Sequence, residues 1–269
     1  MNSRPVVFMD SGIGGIPYCR HFLSRNPAEK IIYLADRLNF PYGEKTGEEI
    51  ARILSGHTER LIQKADPKII VLACNTATVC GLAILREKFP AIPFVGTVPA
   101  VKPAVLASKT KIIGVLATER TINDRYVTDL AHSFGQCTVQ GIAAGELVEF
   151  VEKKFDTATD SEKTELVRKY LDRMRKLNAD VLVLGCTHFL ALADVFHREA
   201  GSDIKVFDSV EGVSHRIESL LDESNGALRA PAGLPAENRF LLSGNEAPDE
   251  IWKRRAEKFG FALSLLEEL

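Results

Sequence analysis

The stretch KIIVLACNTATV, residues 68–79, runs in order through an apolar segment, a cysteine, and a set of amide and hydroxyl side chains. Positions 69–73 are apolar without alternation, so a strand built from them must be buried on both faces. That condition is met by a parallel sheet with helices on both sides. The same form recurs in PVVFM (5–9), KIIYLA (30–35), PFVG (93–96), KIIGVLA (111–117), DVLVLG (180–185) and IKVF (204–207), separated by helix-length segments. Thr46-x-x-Glu49 is a capping-box pattern that predicts the start of a helix through IARILSGHTERLIQ, with Gly56 a mild interruption. The fold class is therefore α/β.

Working outward, the chain resembles itself. ADVLVLGCTHFLAL (179–192) repeats the order strand, small residue, cysteine, polar residues, helix. VVFMDSGIGG (6–15) and IGVLATERT (113–121) form a second, weaker pair, and Asp10 precedes Cys74 by nearly the distance that separates Thr118 from Cys186. Two related, doubly wound parallel-sheet domains follow from this. The crossings are expected near 97–99 and near 207, giving 1–97 with 208–269 as one domain and 98–207 as the other. SNGALRAPAGLPAEN (224–238) reads as a loop, followed by RFLLSG and a helical EIWKRRAEKFG appended to the first domain.

Composition narrows the function. With 45% hydrophobic and 26% charged residues in 269, the chain can bury a sizeable core. A net charge of -2 without a basic block argues against nucleic acid and anionic membranes as partners, leaving a small molecule as the expected ligand. The apolar run before Asp10 is too short for a signal peptide or a span, so a cytoplasmic protein is expected. Five cysteines, at 19, 74, 80, 137 and 186, form neither a disulfide framework nor a zinc pattern. The histidines at 21, 57, 132, 197 and 215 lie in helical stretches without ligand spacing, so no metal is expected. No lysine context suggests a pyridoxal Schiff base and no dinucleotide fingerprint is present, so no cofactor is expected either.

Ligands of open parallel sheets bind beyond the carboxyl ends of the strands. Four turns there carry reactive or hydrogen-bonding groups: DSGIGG (10–15), the segment from Asp36 to Gly43, CNTAT (74–78) and GCTH (185–188). The glycine turn serves equally well as an anion site at a helix start or as a close packing point, although Asp10 within it can hold an ammonium or orient a base. A single cysteine after a strand is more often a space filler. Two in matched contexts before helices, where the dipole favours a thiolate, shift the reading to chemistry. Cys19, Cys80 and Cys137 have no such context. His188, two residues beyond Cys186, can serve as its proton partner.

In this order and spacing, the four turns resemble those of the glutamate racemases of the aspartate/glutamate racemase superfamily. The resemblance runs from the first strand to the FLLSG segment. It implies pseudo-twofold symmetry, an active site between the domains, and interconversion of L- and D-glutamate for peptidoglycan precursors by a cofactor-independent homodimer. It further implies Cys74 and Cys186 as the two bases, Asp10 and His188 as their assistants, and Glu152 as a supporting acid. Asp10, Ser11, Pro41, Tyr42, Gly43, Asn75, Thr76, Thr121, Thr187 and His188 would hold the substrate. Three segments depart from the usual pattern: Phe189-Leu190 replaces Tyr-Pro, Gly96-Thr97-Val98-Pro99-Ala100 replaces G-V-I-E-P-G, and Asp36-Arg37-Leu38-Asn39 replaces D-T-A-R.

Inverting a carbon needs a proton removed from one face and another delivered to the other, which explains a pair of thiols. A relative acting on aspartate, hydantoins or arylmalonates is the nearest competing reading, weighed against by the retention of both cysteines. An amino-acid-binding sensor has no need of opposed thiols, and the two thiols of a redox protein should approach to disulfide distance.

Overall fold

The computed structural model describes residues 2–123, 125–226, 228–231 and 237–269, with residues 126 and 224–226 described by their backbone alone. In chain order the first elements are β1 (Val6–Asp10), α1 (Ile16–Arg25), β2 (Ile31–Ala35), α2 (Gly47–Ala65), β3 (Ile69–Leu72), α3 (Asn75–Lys88), β4 (Phe94–Gly96) and α4 (Val101–Ala107). Then come β5 (Ile112–Ala117), α5 (Glu119–Asn123), α6 (Tyr126–His132), β6 (Thr138–Ala143), α7 (Gly145–Lys153), α8 (Asp160–Lys176) and β7 (Val181–Leu184). The chain ends with α9 (Ala193–Ala200), β8 (Lys205–Phe207), α10 (Val210–Gly226), β9 (Arg239–Leu242), α11 (Glu250–Lys258) and β10 (Ala262–Leu265).

The chain divides into two compact units, Met1–Thr97 with Val210–Leu269, and Val98–Ser209. The first holds a six-stranded sheet in the order β10-β9-β2-β1-β3-β4, the second a four-stranded sheet in the order β6-β5-β7-β8, and every pairing is parallel. Every residue of β1, β2 and β3 is buried, as strands covered on both faces must be. In the first unit Val7, Met9, Ile32 and Leu34 pack with Ile50, Leu54 and Leu61 of α2. In the second, Val115 and Val183 pack with Val101 and Val105 of α4 and with Val127 of α6.

Several local expectations are refined. Helix α2 starts on the Thr46–Glu49 capping box and passes Gly56 unbroken. The expected loop at 224–238 begins later, because α10 continues to Gly226; residues 227 and 232–236 lie outside the described residues. Strands β6 and β10 interrupt no apolar face. Each occupies a sheet edge, where one face tolerates solvent, so neither carries the continuous apolar signal of β1. The helix expected directly after Cys186 is a 3-10 segment, Thr187–Leu192, ahead of α9. His188, Phe189, Leu190 and Leu192 are all buried there, leaving no solvent face for an amphipathic α-helix.

Candidate active site

The order of each sheet places its switch point beside its central strand. β1 is flanked by β2 and β3, and β5 by β6 and β7, so the crevices open where β1 meets β3 and where β5 meets β7. Cys74 follows β3 and Cys186 follows β7. The residue before each cysteine is tied to the central strand: Ala73 N donates to Met9 O at 2.8 Å, and Gly185 N to Leu116 O at 2.7 Å. Both cysteines keep extended backbone, with φ -141° and ψ 124° at Cys74 and φ -136° and ψ 138° at Cys186. Each is 6% exposed. Cys19, Cys80 and Cys137 lie in α1, in α3 and just before β6, away from either strand end.

At the first crevice the glycine turn already holds an anion, the carboxylate of Asp10. Asp10 is fully buried, accepts hydrogen bonds from Ser11 N at 2.7 Å and Gly15 N at 2.6 Å, and lies 3.3 Å from the Tyr33 hydroxyl. A Cβ on Gly15 would stand 2.6 Å from Ala73 Cβ, so this glycine is also the packing point that brings α1 against the strand carrying Cys74. Asn75 and Thr76 open α3 and are buried, and neither polar atom of the Asn75 amide has a hydrogen-bond partner among the described residues. An unmet buried amide costs about 1–3 kcal/mol, which marks it as a place for a ligand group.

Tyr42, in the short turn Pro41–Glu44, is buried and donates to Asp36 Oδ2 at 2.6 Å. Burial and then the Asp36 charge hold its phenol well above the usual range, with smaller pushes from Cys74 and Asp10. Ser11 is buried beside Asp10, and Gly43 follows Tyr42 in the same turn. Thr78 donates to Leu72 O at 3.3 Å and accepts from Thr97 N at 3.0 Å, tying α3 to the end of β4.

At the second crevice His188 Nδ1 lies 3.8 Å from Cys186 Sγ, and His188 Nε2 lies 2.7 Å from Glu152 Oε1 of α7. Burial works to lower the His188 pKa, but the bonds to Cys186 and Glu152 and the Glu152 charge outweigh it and hold the imidazole well above its ordinary 6.5. Thr187 is buried beside them, and Thr121 is buried in α5 with its hydroxyl 3.0 Å from that of Thr118. Phe189 and Leu190 are buried side chains of this unit, whereas Val98 is 38% exposed.

The structure thus assembles Asp10, Ser11, Tyr42, Asn75 and Thr76 with Cys74, and separately His188, Glu152 and Thr187 with Cys186. Sequence reasoning passed over Tyr33, whose hydroxyl donates to Gly12 O at 2.9 Å and braces the glycine turn. Its signal is a polar tip inside an otherwise apolar strand. It also set aside His57, which is buried and places Nε2 3.0 Å from Asp36 Oδ2. Among the described residues no group of three or more His, Cys, Asp or Glu side chains could hold a metal ion, and no helix is long and apolar enough to cross a membrane.

Residues 20–213 match the family described as Asp/Glu/Hydantoin racemase. The glutamate racemase of Ralstonia pickettii is 38% identical over 250 residues, covering 91% of this chain and 84% of its own. The crystal structure of Escherichia coli glutamate racemase in complex with L-glutamate and the activator UDP-MurNAc-Ala matches 97% of each chain at 30% identity, with a TM-score of 0.83. The structure of the Francisella tularensis glutamate racemase in complex with D-glutamate matches 100% of each chain at 26% identity, with a TM-score of 0.79. Two parallel sheets, a cysteine at the switch point of each, and these likenesses along the whole chain place the protein in the Asp/Glu/Hydantoin racemase family, among its glutamate racemases, as an amino-acid racemase.

Proposed function

We propose that this racemase interconverts L- and D-glutamate by a two-base mechanism in which Cys74 and Cys186 serve opposite faces of the α-carbon without a cofactor. The observation that carries the reading is the matched setting of the two cysteines: the same backbone conformation, the same strand-end position, the same slight exposure, and acid/base company in each unit. One thiolate removes the α-proton and the other, as a thiol, returns a proton to the far face. The roles exchange in the reverse direction.

Near Cys74 the unmet amide of Asn75 and the first backbone N–H groups of α3 suit a substrate carboxylate, while the buried Asp10 charge suits the ammonium. Near Cys186 a protonated His188, backed by Glu152, supplies the positive charge that a neighbouring thiolate needs. Such prearranged dipoles and charges stabilise the α-carbanion as it forms. The complexes of the two relatives with L- and D-glutamate support glutamate as the substrate. The product D-glutamate would enter peptidoglycan precursor synthesis in the cytoplasm.

Circular dichroism of L- and D-glutamate incubated with the purified protein, free of metal and pyridoxal phosphate, tests this directly. Both enantiomers should approach the racemate, with aspartate and glutamine far slower. Activity seen only after pyridoxal phosphate or a metal is added overturns the reading.

A further inference from the structure

Asp36 lies at the end of β2, with β1 between it and the strand that carries Cys74, and takes no part in the two-base scheme. It is fully buried, and its carboxylate is met from four sides. The Tyr42 hydroxyl donates to Oδ2 at 2.6 Å, the Ser243 hydroxyl donates to Oδ1 at 2.5 Å, and Asn39 Nδ2 lies 2.9 and 3.0 Å from the two oxygens. His57 Nε2 stands 3.0 Å from Oδ2, at the distance but not the alignment of a hydrogen bond.

These partners come from four places in the sequence. Ser243 follows β9, accepts from Leu38 N at 3.0 Å, and has its own N–H bonded to Ala35 O at 3.2 Å. Tyr42 packs in the same buried cluster as Cys74 and Ala77. A buried carboxylate that accepts several strong donors is a fixed point, because losing any one donor leaves charge unmet in a dry site.

We infer that Asp36 is a positioning residue for the racemase reaction, which with Ser243 locks Tyr42 and the turn from Pro41 to Gly43 in place beside Cys74. The inference rests on the function proposed above. It gives the FLLSG segment a role: the final third of the first sheet delivers the hydroxyl that completes the lock. Asp36 touches no reacting atom in this account and acts only through Tyr42.

A double-mutant cycle on the full-length protein tests it. Asp36→Asn and Tyr42→Phe should each lower kcat/KM for glutamate by about tenfold or more, and the double variant should lose no more than the worse single variant, as coupled neighbours do. The loss should fall more heavily on α-proton exchange of D-glutamate in D2O, the step that the resemblance to the glutamate racemases gives to Cys74, than on that of L-glutamate.

If Asp36→Asn does not fold, the cycle is run with Ser243→Ala against Tyr42→Phe, and Ser243→Thr should restore activity. Losses that multiply in the double variant, or variants that melt earlier yet keep full activity per folded molecule, overturn the positioning role. An inactive wild-type protein overturns the racemisation reading itself, so the two failures are told apart by the first assay.

Discussion

Replacing Cys74 or Cys186 by serine exchanges a thiol for a far less acidic hydroxyl in an otherwise unchanged strand end. If each serves one face, both variants should lose net racemisation while keeping one half-reaction. A glutamate analogue with a leaving group on its β-carbon needs only proton abstraction; with Cys74 the base for the D form and Cys186 for the L form, as the resemblance to the glutamate racemases implies, the Cys74 variant should still eliminate the L form and the Cys186 variant the D form. Equal loss on both enantiomers in both variants would point to a single base. Glu152→Gln addresses the next group out. The folded pKa of His188 is raised above its ordinary 6.5, so the stability contributed by its imidazolium is fully present below that value and is lost as pH rises through the folded one. Without the Glu152 charge His188 should release its proton at lower pH, and the alkaline decline in stability should begin earlier. Histidine ring NMR across the titration checks this, and an unmoved resonance rules the pairing out. The strand-end placement of both thiols was legible in the sequence because each follows an apolar run, and it was the repetition of that setting, not either cysteine alone, that pointed to chemistry. Glu152 was visible only through family resemblance, since one acid on an amphipathic helix gives no sign of which buried group it reaches.

Among elements, α2 offers a clean test of backbone cost. Gly56 sits inside its helix with nothing within 4 Å of where a Cβ would stand. Gly56→Ala should therefore stabilise the protein by about 0.5–1 kcal/mol, read as a rise in midpoint of thermal unfolding. Asp180 shows a different device, one carboxylate that closes the turn leading into β5. It accepts from Ser108 Oγ at 2.6 Å, Lys109 N at 2.6 Å and Thr110 Oγ1 at 2.9 Å. Partial burial pushes its pKa up, but these bonds prevail and bring it to about 2. Its contribution is then present above the ordinary 3.8 and lost as pH falls through the folded value. Asp180→Asn should cost about 1 kcal/mol at neutral pH after allowance for solvent screening, and nothing below pH about 2. Denaturant melts at both pH values decide it. Seven strands could be read from their apolar runs: β1, β2, β3 and β7 are buried throughout and β4 and β5 nearly so, while β8, at a sheet edge, keeps its apolar run although it is only partly covered. β6 and β10 could not, because both are open or only partly covered at nearly every position and polar residues interrupt their apolar runs, and the 3-10 turn after Cys186 could not, because its geometry is decided by packing rather than by period.

At the scale of the whole molecule, the amino edge of the first sheet is held by a buried ion pair, Lys68 to Glu29 at 2.5 Å. Lys68 Nζ also donates to Asn2 O at 2.9 Å and Leu228 O at 2.7 Å, so one ammonium ties the start of the chain and the segment after α10 to β3. Glu29→Gln leaves that ammonium uncompensated and should destabilise the protein by about 3–5 kcal/mol in equilibrium unfolding. Lys68→Met combined with Glu29→Leu should recover most of the loss; a double variant as unstable as the single refutes this account. Repetition in the sequence made the two sheets legible, but not that the first would have six strands, because β9 and β10 lack the strand–turn–cysteine signature that marks the repeat. Strand β2 takes its outer neighbour from β9, more than two hundred residues further on. During synthesis the second sheet, made from one continuous stretch, has all its strands long before the first does. The outer edge of β2 therefore emerges from the ribosome bare, with unpaired amides and carbonyls and no partner yet made, and a truncated message would leave it bare for good.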